Sequence, residues 1–134
     1  MRVLARKPEK QDQLRAWDCE IVQGDLTDPD SLRRAAAGCD TVVHLVAILL
    51  GSPEAFERIM VQGTRDLVEA AKGAGVQRVV LMSALGTEDG HEVTPYFRSK
   101  WEEEQAVKYS GLEHVIFRPS FVFGSDGGIL AQQI

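Results

Sequence analysis

Residues 41–82, TVVHLVAILLGSPEAFERIMVQGTRDLVEAAKGAGVQRVVLM, decide the fold. Thr41 to Ala47 form a short apolar run of the kind found in parallel strands that are covered by helices on both faces. From about Pro53 to Gly73 the apolar residues recur at helical spacing, and Gly63 would permit close packing of this helix. Val76 to Met82 predict a second strand. A strand, a helix and a strand in this order form a βαβ unit with two parallel strands.

The same alternation continues on both sides of this unit. The further elements predicted are a strand end at Val3–Ala5, a helix from about Pro8 to Trp17, a strand at Cys19–Gln23, a helix capped by Asp28 that stops at Gly38, a helix from about Thr94 to Ser110 and a strand at Glu113–Arg118. A TIM barrel would show the same alternation but needs about 250 residues. The fold class predicted is therefore α/β, with a doubly wound, Rossmann-like parallel sheet.

Composition and charge argue against several classes of protein. The 134 residues suffice for one domain, and the net charge of -5 argues against nucleic-acid binding. No apolar run is long enough for a transmembrane segment, and no secretory signal is recognisable. Two isolated cysteines, Cys19 and Cys39, fit neither a disulfide framework nor a zinc pattern. We therefore expect a cytoplasmic protein without a metal site.

The beginning of a dinucleotide fold is missing from the sequence. In that fold a first strand leads into a glycine-rich turn that cradles the pyrophosphate, and these residues contain no G-x-G-x-x-G pattern. The first strand-like segment ends instead in Arg6 and Lys7. These are either solvated charges or the basic residues that accommodate a 2'-phosphate, which would favour NADP(H) over NAD(H). We expect residues 1–134 to be a partial NAD(P)-binding Rossmann domain that lacks its first βα unit and a C-terminal part.

An acidic residue follows the predicted strand Cys19–Gln23, at Gly24-Asp25-Leu26. Ligands of parallel sheets sit at the carboxyl ends of the strands, so Asp25 could accept a hydrogen bond from an adenine amino group. Alternatively, Asp25 is a turn residue that binds local amides. A calcium loop is rejected for Asp25, Asp28 and Asp30, because the glycine and the closing glutamate of such a loop are absent.

The central chemical motif is Tyr96-Phe97-Arg98-Ser99-Lys100. Tyr96 and Lys100 are four residues apart, so on a helix they share one face. A lysine ammonium favours the phenolate and would lower the pKa of the tyrosine towards the range of a general acid or base. The alternative is a half-buried aromatic beside a solvated lysine. The strand that precedes this motif ends at Ser83. The run Glu102-Glu103-Glu104 predicts a solvated face of the helix.

Together these motifs resemble the short-chain dehydrogenase/reductase superfamily, in particular its extended and atypical members. Those members include NAD-dependent epimerases/dehydratases, NmrA-like proteins and an accessory subunit of respiratory complex I. The resemblance rests on Gly24-Asp25-Leu26, Val43-His44-Leu45-Val46-Ala47, Gly63-Thr64, Leu81-Met82-Ser83-Ala84, the Tyr96/Lys100 pair, Phe117-Arg118-Pro119-Ser120 and Val122-Phe123-Gly124.

The resemblance implies a role for each of these positions. On the cofactor side, it implies that Asp25 and Leu26 flank the adenine, that Ala47 lies near the ribose, and that Ser83, Pro119 and Ser120 surround the nicotinamide. In catalysis, it implies that Tyr96 is the general acid/base and that Lys100 also holds the ribose. His44 would be a strand-end residue without an acid or base role.

Two departures from the family pattern bear on function. Met60 stands where the long helix usually carries an asparagine. Leu85 stands where extended members have their catalytic serine or threonine, and leucine cannot donate a hydrogen bond to a substrate. Ser83 or Thr87 would have to supply that bond.

Two functions therefore remain open. The first is an NADP(H)-linked oxidoreductase or epimerase-like enzyme acting on a small carbonyl or sugar-like substrate, with Tyr96, Lys100 and Ser83 as catalytic residues. The second is a non-catalytic NADPH-binding accessory, assembly or sensor protein with a protein-complex partner. For residues 1–134 alone we expect weak or no cofactor binding, because the pyrophosphate cradle is missing.

Overall fold

The computed structural model describes residues 1–122, so Phe123 and Gly124 of the last motif lie outside the described residues. The strands are β1 (Arg2–Ala5), β2 (Glu20–Gln23), β3 (Thr41–His44), β4 (Arg78–Met82) and β5 (Glu113–Phe117). The helices are α1 (Asp12–Ala16), α2 (Pro29–Ala36), α3 (Pro53–Phe56), α4 (Gly63–Gly73), α5 (Thr87–Gly90) and α6 (Pro95–Lys108), with a 3-10 turn at Pro8–Lys10 and a π-helical segment at Glu57–Gln62. The predicted order of strands and helices is confirmed, but the structure adds the short helix α5 and divides the predicted helix over 53–73.

Side-chain caps explain where two of the helices begin. The Asp28 carboxylate accepts hydrogen bonds from the backbone N–H groups of Asp30 and Ser31 at the start of α2. Thr94 caps α6 in the same way, by accepting from the backbone N–H of Phe97. In both helices a proline occupies the first turn, where its missing N–H costs no hydrogen bond.

The strands are all parallel but fall into two sheets, β1-β2 and β3-β4-β5. A Rossmann sheet has the order 3-2-1-4-5-6, which these five strands reproduce when one strand is left out between β1 and β3. Within residues 1–122 no strand joins those two edges. This division of the sheet agrees with the prediction that residues 1–134 are a partial Rossmann domain without the first βα unit.

One hydrophobic cluster connects the two sheets. It consists of Leu26, Leu32, Leu67 and Ala70, with Leu4 of β1 and Val42 of β3 packed against it. Helix α4 packs against both α2 and α6. A second cluster joins α4 and α6 to the larger sheet through Val68, Val79, Leu81 and Val107.

The opposite face of the larger sheet is open. Val43 is 58% exposed, Val115 42% and Phe117 53%. The prediction that helices cover strand 41–47 on both faces is wrong for residues 1–122. The strand is also shorter than predicted, because it ends at His44, whose side chain is buried.

The predicted continuous helix over residues 53–73 is interrupted. A π-helical segment, Glu57–Gln62, separates α3 from α4. Segments of this kind insert one extra residue into a helix and occur often at functional sites. Gly63 begins α4 where a Cβ atom would lie 2.6 Å from Leu26 Cγ, so the predicted close packing is confirmed. None of the helices in the described part is both long and apolar enough to span a bilayer.

Candidate functional site

The predicted site residues lie where the strands end. Parallel strands place their carboxyl ends at one edge of the sheet, and ligands bind outside that edge. The chain leaves the strands there at Ala5, Gln23, His44, Met82 and Phe117. Most of the predicted site residues follow directly after these positions, and Tyr96 and Lys100 lie on helix α6.

Arg6 and Asp25 come together at the ends of β1 and β2. The Arg6 Nε atom lies 3.8 Å from Asp25 Oδ2, and the Arg6 side chain is exposed. Asp25 also accepts hydrogen bonds from the backbone N–H and the hydroxyl of Thr27. The backbone bond from Thr27, its hydroxyl, and the charges of Arg6 and Arg58 lower the pKa of Asp25. Asp25 therefore stabilises its own turn and remains partly exposed to a ligand, while Lys7 is exposed beside Arg6.

Leu26 and Ala47 differ in their access to a ligand. Leu26 is only 5% exposed and packs in the core against Gly63 and Leu32. The core occupies the Leu26 side chain, and the position of Leu26 beside the adenine stays a prediction. Ala47 is exposed after the end of β3.

Lys100 is buried, and two of its three N–H donors bind protein groups. Its side chain is 2% exposed, and Nζ donates to the Met82 carbonyl over 2.9 Å and to Glu103 Oε2 over 2.8 Å. The alternative of a solvated lysine is therefore wrong. Because Met82 ends β4, these two bonds hold the ammonium at the carboxyl end of the middle strand of the larger sheet.

Tyr96 is half-buried one turn before Lys100 and meets the ring of Phe97 edge-on. Burial raises the pKa of the Tyr96 phenol, and the negative charge of Glu103 raises it further. The prediction that Lys100 lowers this pKa is wrong in this structure. The reason is that the ammonium donates to Glu103 and Met82, while desolvation disfavours the phenolate.

Ser83 is buried, and its hydroxyl is already committed. It donates to Glu104 Oε1 over 2.6 Å and lies 3.2 Å from the Thr87 hydroxyl. Thr87 is buried too and donates to the Ala84 carbonyl. Neither hydroxyl is free to replace the serine or threonine that Leu85 displaces, although Ser83 does lie at the predicted end of β4.

Glu104 is the buried centre of a second group of polar side chains. It accepts two hydrogen bonds from the Arg118 guanidinium, at 2.9 and 2.6 Å, in addition to the bond from Ser83. Burial alone would raise the pKa of Glu104, but the bonds from Arg118, Ser83 and Lys108 outweigh it and hold that pKa at about 2. Glu104 is therefore a permanent anion that ties α6 to the residues after β5.

Glu103 is the other fully buried acid of α6, and its exposed fraction is 0%. Burial raises its pKa to about 7, although Lys100 opposes this shift. The prediction of a solvated face at residues 102–104 is therefore wrong for Glu103 and Glu104. Helical spacing could have identified Glu103, because Tyr96, Lys100, Glu103 and Val107 fall on one face of α6.

His44 is buried at the end of β3 with its Nε2 atom 2.8 Å from the Thr64 hydroxyl. Burial lowers the pKa of His44 to about 3, and the charge of Lys100 lowers it as well. The ring is therefore neutral at physiological pH. This agrees with its predicted position as a strand-end residue without an acid or base role.

The residues predicted around the nicotinamide come from two loops that are bonded to each other. The backbone N–H of Ser83 donates to the Phe117 carbonyl over 2.7 Å, and that of Leu85 donates to the Pro119 carbonyl over 2.8 Å. Leu85 is 64% exposed, and Ser120 is exposed as well. The surface at this end of the sheet is therefore formed by Leu85, Pro119 and Ser120, with Ser83 below it.

Curated proteins are similar to this chain over most of its length. Ceramide reductase of Caulobacter vibrioides is 32% identical over 124 residues, covering 92% of this chain and 38% of that protein. Photosystem II assembly factor Ycf39 of Cyanophora paradoxa is 29% identical over 118 residues, covering 88% of this chain and 36% of that protein. The chain thus spans well under half the length of these curated relatives.

A solved structure carries the same fold. A short-chain dehydrogenase/reductase superfamily protein from Agrobacterium tumefaciens, crystallised with bound NAD, matches with a TM-score of 0.72 and 27% identity over 87% of this chain and 40% of that one. The predicted superfamily resemblance and the Rossmann-like fold class are confirmed. A family model described as NAD(P)H-binding matches residues 1–130, and the chain therefore belongs to this NAD(P)H-binding family.

Proposed function

We propose that the protein containing this chain is an NAD(P)H-linked oxidoreductase or epimerase-like enzyme that acts on a small carbonyl or sugar-like substrate. The observation that carries the proposal is the position of Lys100, which is buried at the carboxyl end of β4 one helical turn after Tyr96. A buried lysine is costly unless a function or a partner retains it. Residues 1–134 would be one partial Rossmann domain of this enzyme.

The residues present fit the two ends of the dinucleotide better than the pyrophosphate between them. A lysine ammonium has three N–H donors, and the protein uses two of those of Lys100, so one remains for a ribose hydroxyl. Arg6 and Asp25 provide charge and hydrogen-bonding groups where the adenosine would lie. The pyrophosphate has no G-x-G-x-x-G cradle in these 134 residues. Tight binding would therefore require a phosphate loop from elsewhere in the protein.

Among nicotinamide cofactors we favour NADP(H). Arg6 and Lys7 follow β1, which takes the place of the second strand of the Rossmann order. A basic residue at that point accommodates a 2'-phosphate, whereas an acidic residue would bind the free ribose diol. The exposed Arg6 side chain is available for such a contact.

The chemistry proposed for Tyr96 follows from its surroundings. The bound cofactor would supply or accept the hydride. Because its pKa is raised, the Tyr96 phenol is protonated at neutral pH, and it would be the donor of a proton to the oxygen of a carbonyl undergoing reduction. Lys100 would hold the ribose through its remaining N–H donor. Ser83 would act only through exchange of its bond to Glu104.

A second candidate function is a non-catalytic NADPH-binding accessory, assembly or sensor protein with a protein-complex partner. It is favoured by the exposed Leu85 and by the commitment of the Ser83 and Thr87 hydroxyls. One similar protein is itself named an assembly factor. In either function we propose a cytoplasmic location, in keeping with the two free cysteines in the described residues.

Tyr96→Phe distinguishes the two functions in the protein as its natural source produces it. If the protein is an enzyme, the variant binds NADPH like the wild type but loses at least about a hundredfold in turnover, the usual contribution of a general acid. The control is Tyr109→Phe, because Tyr109 follows α6 and is exposed. Binding of NADPH that does not depend on Tyr96, without turnover of any carbonyl substrate, would favour the accessory function.

A further inference from the structure

Glu103 and Lys100 form an ion pair that has no access to solvent. Their side chains are 0% and 2% exposed, and Nζ lies 2.8 Å from Glu103 Oε2. Burying two charges costs several kcal/mol per ion, and only part of that cost is recovered by their attraction. Such a pair often gives less stability than apolar residues of the same size. A role beyond stability would account for it.

The geometry around the pair restricts Lys100 to one place. The Met82 carbonyl and Glu103 Oε2 accept two of the three N–H groups of Lys100, one acceptor lying on the strand and one on its own helix. Glu103 Oε1, in contrast, has no hydrogen-bond partner among residues 1–122. The carboxylate is thus held through Oε2 by Lys100, and the Thr64 hydroxyl also faces it.

We propose that Glu103 is a positioning residue, which fixes the Lys100 ammonium at the carboxyl end of β4 so that its remaining N–H can bind the ribose of the dinucleotide. The inference rests on the proposed function and adds a residue to it. Glu103 acts through Lys100 and does not contact the cofactor. Without it, Lys100 keeps its bond to Met82 and loses the second bond that defines its orientation.

The charged and titratable groups that face Glu103 make this role depend on pH. On α6 these groups are Lys100, Glu104 and Tyr96. Helix α4 contributes the Thr64 hydroxyl, which lies within hydrogen-bond distance of His44 of β3. The pKa of His44 is about 3 and that of Glu104 about 2, whereas that of Glu103 is about 7. Glu103 is therefore the acid of this group that changes charge near neutrality, and its protonation weakens its bond to Lys100.

The test measures dinucleotide affinity in the natural protein between pH 6 and 8. Glu103→Gln keeps the shape of the side chain but removes the charge, and Glu103→Asp restores it. Glu102→Gln is the matched control, because Glu102 is the neighbouring, partly exposed acid and pairs with Arg65. At pH 8 we expect Glu103→Gln to raise the Kd for NADPH about tenfold, the loss of one charge-assisted hydrogen bond. Glu103→Asp should recover part of this loss, and Glu102→Gln should bind like the wild type.

The pH profile separates positioning from a merely structural role. The wild-type affinity should fall as the pH is lowered through about 7. The ratio of wild-type to Glu103→Gln affinity should approach one at pH 6. Because both proteins bind the same cofactor, this ratio does not depend on the titration of the cofactor's own phosphate. If Glu103→Gln does not fold, the pH profile of wild-type NADPH affinity and the affinity of Glu103→Asp still test the positioning role.

Two results would overturn the inference. If Glu103→Gln binds like Glu102→Gln at every pH, Glu103 does not position Lys100, while the proposed function stands. If the wild-type protein binds neither NADPH nor NADH, the proposed function fails and the role of Glu103 fails with it.

Discussion

Glu104 Oε1 accepts a hydrogen bond from the Ser83 hydroxyl over 2.6 Å, although 21 residues separate them in the sequence. Ser83 follows β4 and Glu104 lies in α6, so this bond connects the site edge of the sheet to the helix that carries Tyr96 and Lys100. Arg118 completes the connection by donating to both carboxylate oxygens from the segment after β5.

The first prediction concerns this carboxylate. Glu104→Gln should lower the free energy of unfolding by about 2 kcal/mol, somewhat below the range for fully buried pairs because Arg118 is partly exposed. Urea unfolding monitored by circular dichroism measures the change. Glu102→Gln should change the free energy of unfolding by no more than about 0.5 kcal/mol, because its partner Arg65 is exposed. Equal effects of the two substitutions would contradict the assignment of Glu104 as a structural anchor.

A second prediction concerns the change in the free energy of unfolding at acidic pH, which the same carboxylate should cause. Its pKa of about 2 lies below the ordinary value of 4.5, so the folded protein binds this proton less readily than the unfolded chain. The stabilisation is complete above pH 4.5 and is lost as the pH falls towards 2. Wild-type stability should decline more steeply over this interval than that of Glu104→Gln. Parallel profiles would show that Glu104 does not carry the acid transition.

The alternation of strands and helices could be predicted from the sequence because it depends on local hydrophobic spacing. The burial of Glu104 could not, because its partners Ser83 and Arg118 lie far away along the chain. Within residues 102–104 all three glutamates look alike as a charge run, and only tertiary contacts separate them. The π-helical segment could not be predicted from the sequence for a related reason. One extra residue changes the backbone hydrogen bonding of the helix but leaves the apolar spacing on either side intact.

A third prediction concerns His44. Its pKa of about 3 lies below the ordinary value of 6.5, so the unfolded chain binds this proton more readily than the folded protein. The ring should remain neutral at pH 5, and the corresponding stabilisation should be lost as the pH falls from 6.5 towards 3. NMR spectra of the ring protons and nitrogens measure this directly. A titration midpoint above pH 5 would show that the His44–Thr64 contact opens to water.

A fourth prediction tests the packing of α4 against the loop after β2. A methyl group at Gly63 would meet Leu26 Cγ at 2.6 Å, in the core that connects the two sheets. Gly63→Ala should therefore cost about 1–3 kcal/mol in the free energy of unfolding. Gly73→Ala, at the other end of the same helix, is the control, because its methyl group would meet no atom within 4 Å. That substitution should leave stability unchanged or raise it by up to about 1 kcal/mol, since alanine favours the helix. A similar loss at both glycines would mean that the effect is not steric.

The last prediction concerns cofactor binding by residues 1–134 as an isolated polypeptide. Lys100 and the Arg6–Asp25 pair lie on the two sheet fragments, and within residues 1–122 no strand bridges the edges of β1 and β3. A dinucleotide would have to span this division without a G-x-G-x-x-G loop to hold its pyrophosphate. Calorimetric titration with NADPH should therefore give a Kd weaker than micromolar, whereas a natural form with a mass well above 14.8 kDa and such a loop should bind more tightly. Micromolar or tighter binding by the 134 residues alone would mean that the site is complete without the loop, and that Arg6, Asp25 and Lys100 suffice to hold the cofactor.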